Sequence, residues 1–396
     1  MRYLKIFDTT LRDGAQAPGA ALTHSDKLRL AHALADLGVD VLEAGFPAAS
    51  EGEFASVRAI ATEVRTPTVA ALARATDADV DAAARALKPA GRKRIHVFIA
   101  TSEIHIERKL RMAPLAVIEA AERAVRRAVE QADEVEFSAE DATRSDIHFL
   151  VTVYQAAARA GARIINIPDT VGYTQPTEFA KIVLAVRGAL AAYNGGLQIS
   201  VHCHNDLGLA VANTLAAVEA GAQQAHVCIN GIGERGGNAS LEELVMALRV
   251  RRDHYLVRTD VRPERIVPTS RLFTELTGIP VQPNKAIVGA NAFAHASGVH
   301  QDGVLKDART YEIMTPESVG WESRRLVVTK LSGRRGLAAR LREMGVALEG
   351  ESLDRAYALA MKRGDEVAEL SEVDLLTIVA QARRAAVTAA TLPAAS

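Results

Sequence analysis

Residues 200–206 read SVHCHND, with His202 and His204 two places apart in a run that otherwise has the composition of a β-strand. In extended backbone, residues i and i+2 leave the same face, so the two imidazoles project in parallel and Cys203 points the other way. Paired imidazoles of this kind suit a metal ion or an acid–base pair. A carboxylate and an amide oxygen would complete a divalent-metal site and leave positions for a bidentate substrate. Asp13, in DTTLRDG (8–14), and Asn238, in NGIGERGGNAS (230–240), are the residues expected to supply them. The expected ligands are therefore Asp13, His202, His204 and Asn238. An all-nitrogen and oxygen set without thiolate suits Mg²⁺ or Mn²⁺ and also accommodates Zn²⁺.

The elements that must carry these residues recur with a βα rhythm. Short apolar segments at 4–9, 41–46, 68–73, 95–100, 134–139, 164–169, 199–204 and 225–230 alternate with amphipathic stretches such as 25–37, 77–88, 114–131 and 207–220. Eight such units predict a (β/α)8 TIM barrel over residues 1–255, with a doubly wound sheet as the competing topology. A barrel enzyme works at the C-terminal ends of its strands. Polar residues gather there: Arg12 and Asp13, Glu43, His96, then Glu136, Ser138 and Glu140 at period two, Asp169 and Thr170, the two histidines, and Asn230, Glu234 and Asn238. The glycines of NGIGERGGN let backbone come close to a ligand before the next helix. Gly38 and Gly161 read as helix stops.

After residue 255 the rhythm ends. Residues 256–330 are expected to form a linker and lid subdomain carrying HASGVHQDG (295–303), and residues 331–396 a helical subdomain with helices near 334–345, 352–362 and 371–386 and a frayed Ala-rich tail. The chain of 396 residues is 48% hydrophobic and 24% charged with a formal net charge of −1, which suggests neither nucleic acid nor an anionic membrane as partner. The short basic runs GRKR (91–94) and RRDH (251–254) read as solvated faces. No apolar stretch of spanning length and no signal core is present, so a cytoplasmic location is expected. Cys203 and Cys228 fit reduced, buried thiols.

Seven stretches in order carry a resemblance: FDTTLRDGAQAPG (7–19), EAGFPAAS (43–50), HVFIATSEIHIERKL (96–110), NIPDTVGYTQP (166–176), SVHCHNDLGLAVANTLAAVEAGA (200–222), NGIGERGGNASLEE (230–243) and the HASGVHQDG to TYEIMTPESVG region (295–320). Over roughly residues 3–385 the chain resembles the isopropylmalate/homocitrate synthase family, whose wider group includes citramalate synthases and acyl-CoA lyases. The resemblance implies an acetyl-CoA-dependent acyltransferase. It would join acetyl-CoA to 3-methyl-2-oxobutanoate by a metal-assisted Claisen condensation and hydrolyse the thioester to 2-isopropylmalate and CoA, the first committed step toward leucine. GFPAAS, IPDTVGYTQP and YEIMTPESVG look more like isopropylmalate synthases than homocitrate synthases. The same chemistry on 2-oxoglutarate or pyruvate is the alternative. The lyase branch uses a cysteine in the glycine-rich loop, where this sequence has none, and a non-catalytic subunit would be expected to have lost a ligand or the base.

The resemblance also implies roles. Arg12 would place a fixed charge near the developing alkoxide, Thr170 would bind the oxo-acid carboxylate, and His96 and Ser138 would line the oxo-acid pocket. His300 would be the base that takes the acetyl proton, with Glu140 and Tyr311 nearby, and would reach the partner's barrel in an intertwined homodimer. His295 is the alternative base, read here as a helix-surface histidine. Family members usually carry a further C-terminal regulatory domain, and the sequence reads as a short form without it.

Overall fold

The computed structural model describes residues 1–193 and 196–390, with side chains through Arg384. Eight parallel strands close into a barrel: β1 (Lys5–Asp8), β2 (Val41–Glu43), β3 (Thr68–Arg74), β4 (Lys93–Ala100), β5 (Glu134–Glu140), β6 (Ile164–Asp169), β7 (Gln198–Cys203) and β8 (Gln224–Val227). Closure comes from β1 lying beside β8, with Lys5 opposite Gln224 and Asp8 opposite Val227. Eight helices follow the strands in turn: α1 (His24–Leu37), α2 (Glu51–Glu63), α3 (Asp77–Leu87), α4 (Pro114–Val129), α5 (Ile147–Ala160), α6 (Pro176–Ala189), α7 (Ala210–Glu219) and α8 (Leu241–Val250). The expected TIM barrel is the observed fold, and the doubly wound alternative is excluded by the β1–β8 ladder.

Local sequence sets the helix ends. Thr23 accepts from the Asp26 amide and Asp26 from the Thr23 amide, a capping box that starts α1, and Ser50, Thr76 and Asp146 cap α2, α3 and α5 through their side chains. Gly38 and Gly161 end α1 and α5 at φ 92° and 110°, left-handed backbone that costs glycine least.

The barrel unit does not stop at 255. Val257–Arg258 pairs with Arg2–Tyr3, the Arg262 amide donates to the Leu37 carbonyl at 2.8 Å, and α9 (Ile266–Thr277) sends Ser270 Oγ to Asn230 Oδ1 at 2.6 Å. The first compact unit accordingly runs from Met1 to Val281. The prolines at 263 and 268 break the βα rhythm without breaking the packing.

The second unit begins at Gln282 and is continuous across the subdomain boundary expected at 330. Ala294–His295 pairs with Arg325–Leu326. Then α10 (Gly298–Lys306), α11 (Arg334–Glu343), α12 (Gly350–Gly364) and α13 (Glu372–Ala390) surround a core of Val328, Leu337, Leu341, Leu353, Leu375 and Ile378. Hydrogen bonds across that boundary explain the continuity: the Gly298 amide donates to the Leu331 carbonyl at 2.9 Å and Ser332 Oγ to the Ala296 carbonyl at 3.0 Å, while fully buried Gln301 donates from Nε2 to the His295 and Val327 carbonyls at 2.9 and 2.8 Å. Helix α13 continues to Ala390; the expected frayed tail falls, for 391–396, outside the described residues. Among the described residues no helix is long and apolar enough to cross a membrane.

Candidate active site

At the C-terminal ends of the barrel strands lies a cavity of about 360 Å³, lined among others by Arg12, Asp13, His96, Ser138, Glu140, Thr170, His202 and His204. The strand periodicity delivers the histidine pair as expected. His202 and His204 Nε2 atoms lie 3.1 Å apart, and each is 3.9 Å from Asp13 Oδ2. Cys203 faces outward and is buried against Thr214 of α7, where desolvation raises its thiol pKa; Cys228 is likewise a buried free thiol.

Asp13 arrives from the turn after β1, where its amide donates to the Thr9 carbonyl at 2.9 Å. Asn238 arrives from the glycine-rich loop after β8, and its Nδ2 donates to Asp13 Oδ1 at 2.9 Å and to the Ile232 carbonyl at 3.1 Å. The glycines make this approach feasible: a Cβ on Gly233 would stand 2.0 Å from Asn238 Nδ2 and 2.9 Å from Asp13 Oδ1. Their first service is thus to the approach of Asn238 to Asp13.

The donor set fits a dication. Burial lowers the pKa of both His202 and His204, so both imidazoles are neutral and offer lone pairs at physiological pH. Burial alone would raise the Asp13 pKa, but the Arg12 guanidinium, with the Asn238 amide that donates to it, holds it below the usual carboxylate range. Asn238 Oδ1 is buried without a hydrogen-bond donor. Carboxylate, two neutral imidazoles and a bare amide oxygen are the ligands an ion of the Mg²⁺, Mn²⁺ or Zn²⁺ type takes.

Around this set the side chains hold one another. Arg12 donates from Nη1 to Asp13 at 2.6 Å and from Nε to Glu43 at 2.7 Å. Glu43 also accepts from Thr9 Oγ1 at 2.6 Å, and its Oε1 lies 2.7 Å from His96 Nδ1. Since a carboxylate only accepts, His96 Nδ1 carries a proton toward Glu43, and its Nε2 lies 2.6 Å from Ser138 Oγ. Ser138 in turn accepts from Asn166 Nδ2 at 2.7 Å. Asn166, Ser138, His96 and Glu43 thus form one hydrogen-bonded chain whose polar atoms face one another, leaving mainly ring and methylene carbon for a substrate. Glu43 stood at a strand end in the sequence without a role, and Asn166 was not singled out. Inward alternation on β6 was the available signal for Asn166. Phe46, Leu72, Phe98 and Pro168 add apolar wall that only the closed barrel reveals.

Thr170 reaches the cavity with its hydroxyl accepting from the Asp141 amide at 2.9 Å and its carbonyl accepting from Arg235 Nη2 at 2.7 Å. Glu140, half-buried, accepts from Lys109 Nζ at 2.6 Å.

The remaining expected residues belong to the second unit. His300 and Tyr311 meet there, with ring centres 4.3 Å apart, and both are exposed. His295 is not a helix-surface residue: it sits in the short Ala294–His295 strand, partly buried, with Nε2 3.1 Å from Glu312 Oε1. The extended pairing with Arg325–Leu326 removes it from α10, which starts three residues later. GRKR also departs from its reading as a solvated face. Arg94 is fully buried in the barrel interior, because it shares the inward phase of β4 with His96.

Fold and site define the chain as one of the barrel enzymes of the HMGL-like class: the HMGL-like family profile matches residues 3–273, and a second, the homocitrate synthase post-HMGL domain-like profile, matches 287–367. Solved relatives share the barrel. An HMG-CoA lyase from Brucella melitensis superposes with a TM-score of 0.60 at 20% identity, covering 70% of this chain and 100% of that one. The carboxyl transferase domain of Rhizobium etli pyruvate carboxylase gives 0.56 at 17%, covering 96% and 60%. Much nearer in sequence are curated 2-isopropylmalate synthases. That of Pyrococcus abyssi is 54% identical, covering 96% of this chain and 78% of its own length, and that of Nitrosococcus oceani is 54% identical, covering 97% and 75%. The chain belongs to the 2-isopropylmalate synthase family.

Proposed function

We infer that the protein condenses acetyl-CoA with 3-methyl-2-oxobutanoate, giving 2-isopropylmalate and CoA. The observation that carries the choice of oxo acid is the cavity's charge balance. Its cations are engaged: Lys109 pairs with Glu140 and Arg235 with Asp206 at 2.8 Å, while Arg12, between Asp13 and Glu43, is taken up by the reacting ketone. Among the described residues lining the cavity, no cation is left for the second carboxylate of 2-oxoglutarate, whereas Phe46, Leu72, Phe98 and Pro168 offer apolar surface to a branched alkyl group.

Asp13, His202, His204 and Asn238 would hold a divalent ion, which supplies Lewis acidity toward the ketone and carboxylate oxygens of the oxo acid. Arg12, its charge fixed by two carboxylates, stabilises negative charge growing on the former ketone oxygen. Thr170 orients the substrate carboxylate by a hydrogen bond. His300 removes the proton from the acetyl methyl, the resulting carbanion adds to the ketone carbon, and the alkoxide so formed takes a proton from water to become the product hydroxyl; Tyr311 and Glu140 assist in placing the thioester. Water then cleaves the thioester, releasing CoA. In this reading the protein is a cytoplasmic homodimer in which His300 serves the partner's barrel.

A thiol-release assay with acetyl-CoA, Mg²⁺ or Mn²⁺ and a panel of 2-oxo acids tests it. Fastest turnover is expected on 3-methyl-2-oxobutanoate, lost on chelation and restored by the ion. Fastest turnover on 2-oxoglutarate or pyruvate would replace the substrate while keeping the chemistry.

A further inference from the structure

One buried group beside the cavity has no part in the reaction so far. His226, on β8, lines the cavity and stacks on Phe7 with ring centres 3.8 Å apart and planes 6° from parallel. Its edges meet two rings of the site: His202 at 5.4 Å and 81°, and His96 at 5.5 Å and 85°. The ring is locked from the other side. Nε2 lies 2.8 Å from Glu136 Oε1, and because a carboxylate accepts, that nitrogen carries the proton.

Glu136 is itself held. It accepts from Arg94 Nη1 at 2.9 Å, and both its oxygens accept from Gln224 Nε2 at 3.0 Å. Gln224 also accepts from Arg94 Nη1 at 2.7 Å and donates to Ser200 Oγ at 2.9 Å. Arg94, Glu136, Ser200 and Gln224 precede His96, Ser138, His202 and His226 by two residues, so they form the next inward layer of the barrel. Arg94 and Glu136 side chains are wholly buried. Barrel interiors are filled mainly by branched aliphatic residues, and a buried ion pair commonly adds little stability over such a filling. What this layer does contribute is direction, since each of these bonds has a fixed donor and a fixed acceptor.

We propose that His226 is a positioning residue for the ion site: clamped by Glu136 and Phe7, its ring sets the orientation of His202 and of His96. The inference rests on the ion-site reading above.

The test is Mn²⁺ binding to the metal-free protein by titration calorimetry, alongside kinetics. His226→Ala is expected to weaken Mn²⁺ about tenfold or more, the scale of losses when a group orienting a metal ligand is removed, with the circular dichroism spectrum unchanged. His226→Phe keeps a flat ring on Phe7 but gives up the Glu136 bond, and a smaller loss is expected. A folded His226→Ala protein with Mn²⁺ affinity within about twofold of the parent overturns the proposal. Should the variants not fold, ¹⁵N histidine spectra of the unaltered protein decide: protonated Nε2 on His226 before and after Mn²⁺ is expected, and a bare Nε2 overturns it. If the parent itself binds no Mn²⁺, the ion-site reading fails and takes this inference with it.

Discussion

The two compact units treat their chemically active residues in opposite ways. In the barrel, Asp13, Arg12, His96 and Glu43 are each held by at least two partners, most of them buried, and His202 and His204 sit beside them with burial lowering the pKa of both. In the second unit His300 is exposed and its ring touches Tyr311 at a tilt of 43°, while the buried polar residue nearby in sequence, Gln301, serves the fold. Electrostatic stabilisation demands groups that are in place before charge develops. A general base must instead reach its proton in a particular complex, and its bonds in the free enzyme can be loose. On the proposed reading, the contrast separates a preformed electrophile site from a base whose alignment is completed elsewhere in the cycle.

Removing a proposed ligand should have the largest effect. His204→Ala is expected to lower kcat by at least about a thousandfold and to weaken both Mn²⁺ and oxo-acid binding, with the barrel still folded. Calorimetry and the thiol-release assay measure both, and wild-type turnover in that variant would erase the contrast at its barrel end. His300→Ala should reduce kcat by about 10²–10⁴ while leaving Mn²⁺ affinity and thermal stability nearly unchanged, because the residue is exposed. Weakened Mn²⁺ binding in His300→Ala would show that the second unit helps build the ion site, and the distinction would fail.

The smallest effect concerns stability. Burial raises the Asp8 pKa from 3.8 to about 7, although the Thr10 amide and hydroxyl favour its charged form. Between those values the folded chain holds a proton that the unfolded chain releases. Asp8 thus contributes fully below about pH 4, and its contribution shrinks as pH rises to 7. Asp13, Glu43 and Glu136, held below the usual range, carry the opposite sign but titrate beneath this window. His202, His204 and His226, lowered by burial, favour the fold increasingly as pH rises toward 6.5. Comparing Asp8→Asn with the parent cancels the histidines. The parent is expected to lose stability relative to the variant from pH 4 to 7 in thermal melts, and parallel curves would refute the raised pKa.

Residues whose direction follows from local periodicity were legible in the chain. Eight apolar segments gave the barrel within a few residues at each end, and period two put His202 with His204 and sent Cys203 to Thr214. Errors came where neighbours distant in sequence decide. Arg94 looked like part of a surface run until Glu136 and Gln224 met it inside the barrel. His295 looked helical until the Arg325–Leu326 strand paired with it, and residues 256–281 looked like a linker until Leu37 and Asn230 bound them to the barrel.

The order of alternating apolar segments and the spacing of SVHCHND were sufficient on their own to specify eight βα units and two imidazoles on one face of a strand, because both depend on backbone geometry repeated every two or every few residues. Only the closed barrel decided that Asp13 and Asn238, 225 residues apart, share a hydrogen bond. It also decided that Asn166, Ser138, His96 and Glu43 point their polar atoms at one another. Such contacts are made across strands from four different parts of the chain, and no local preference encodes them.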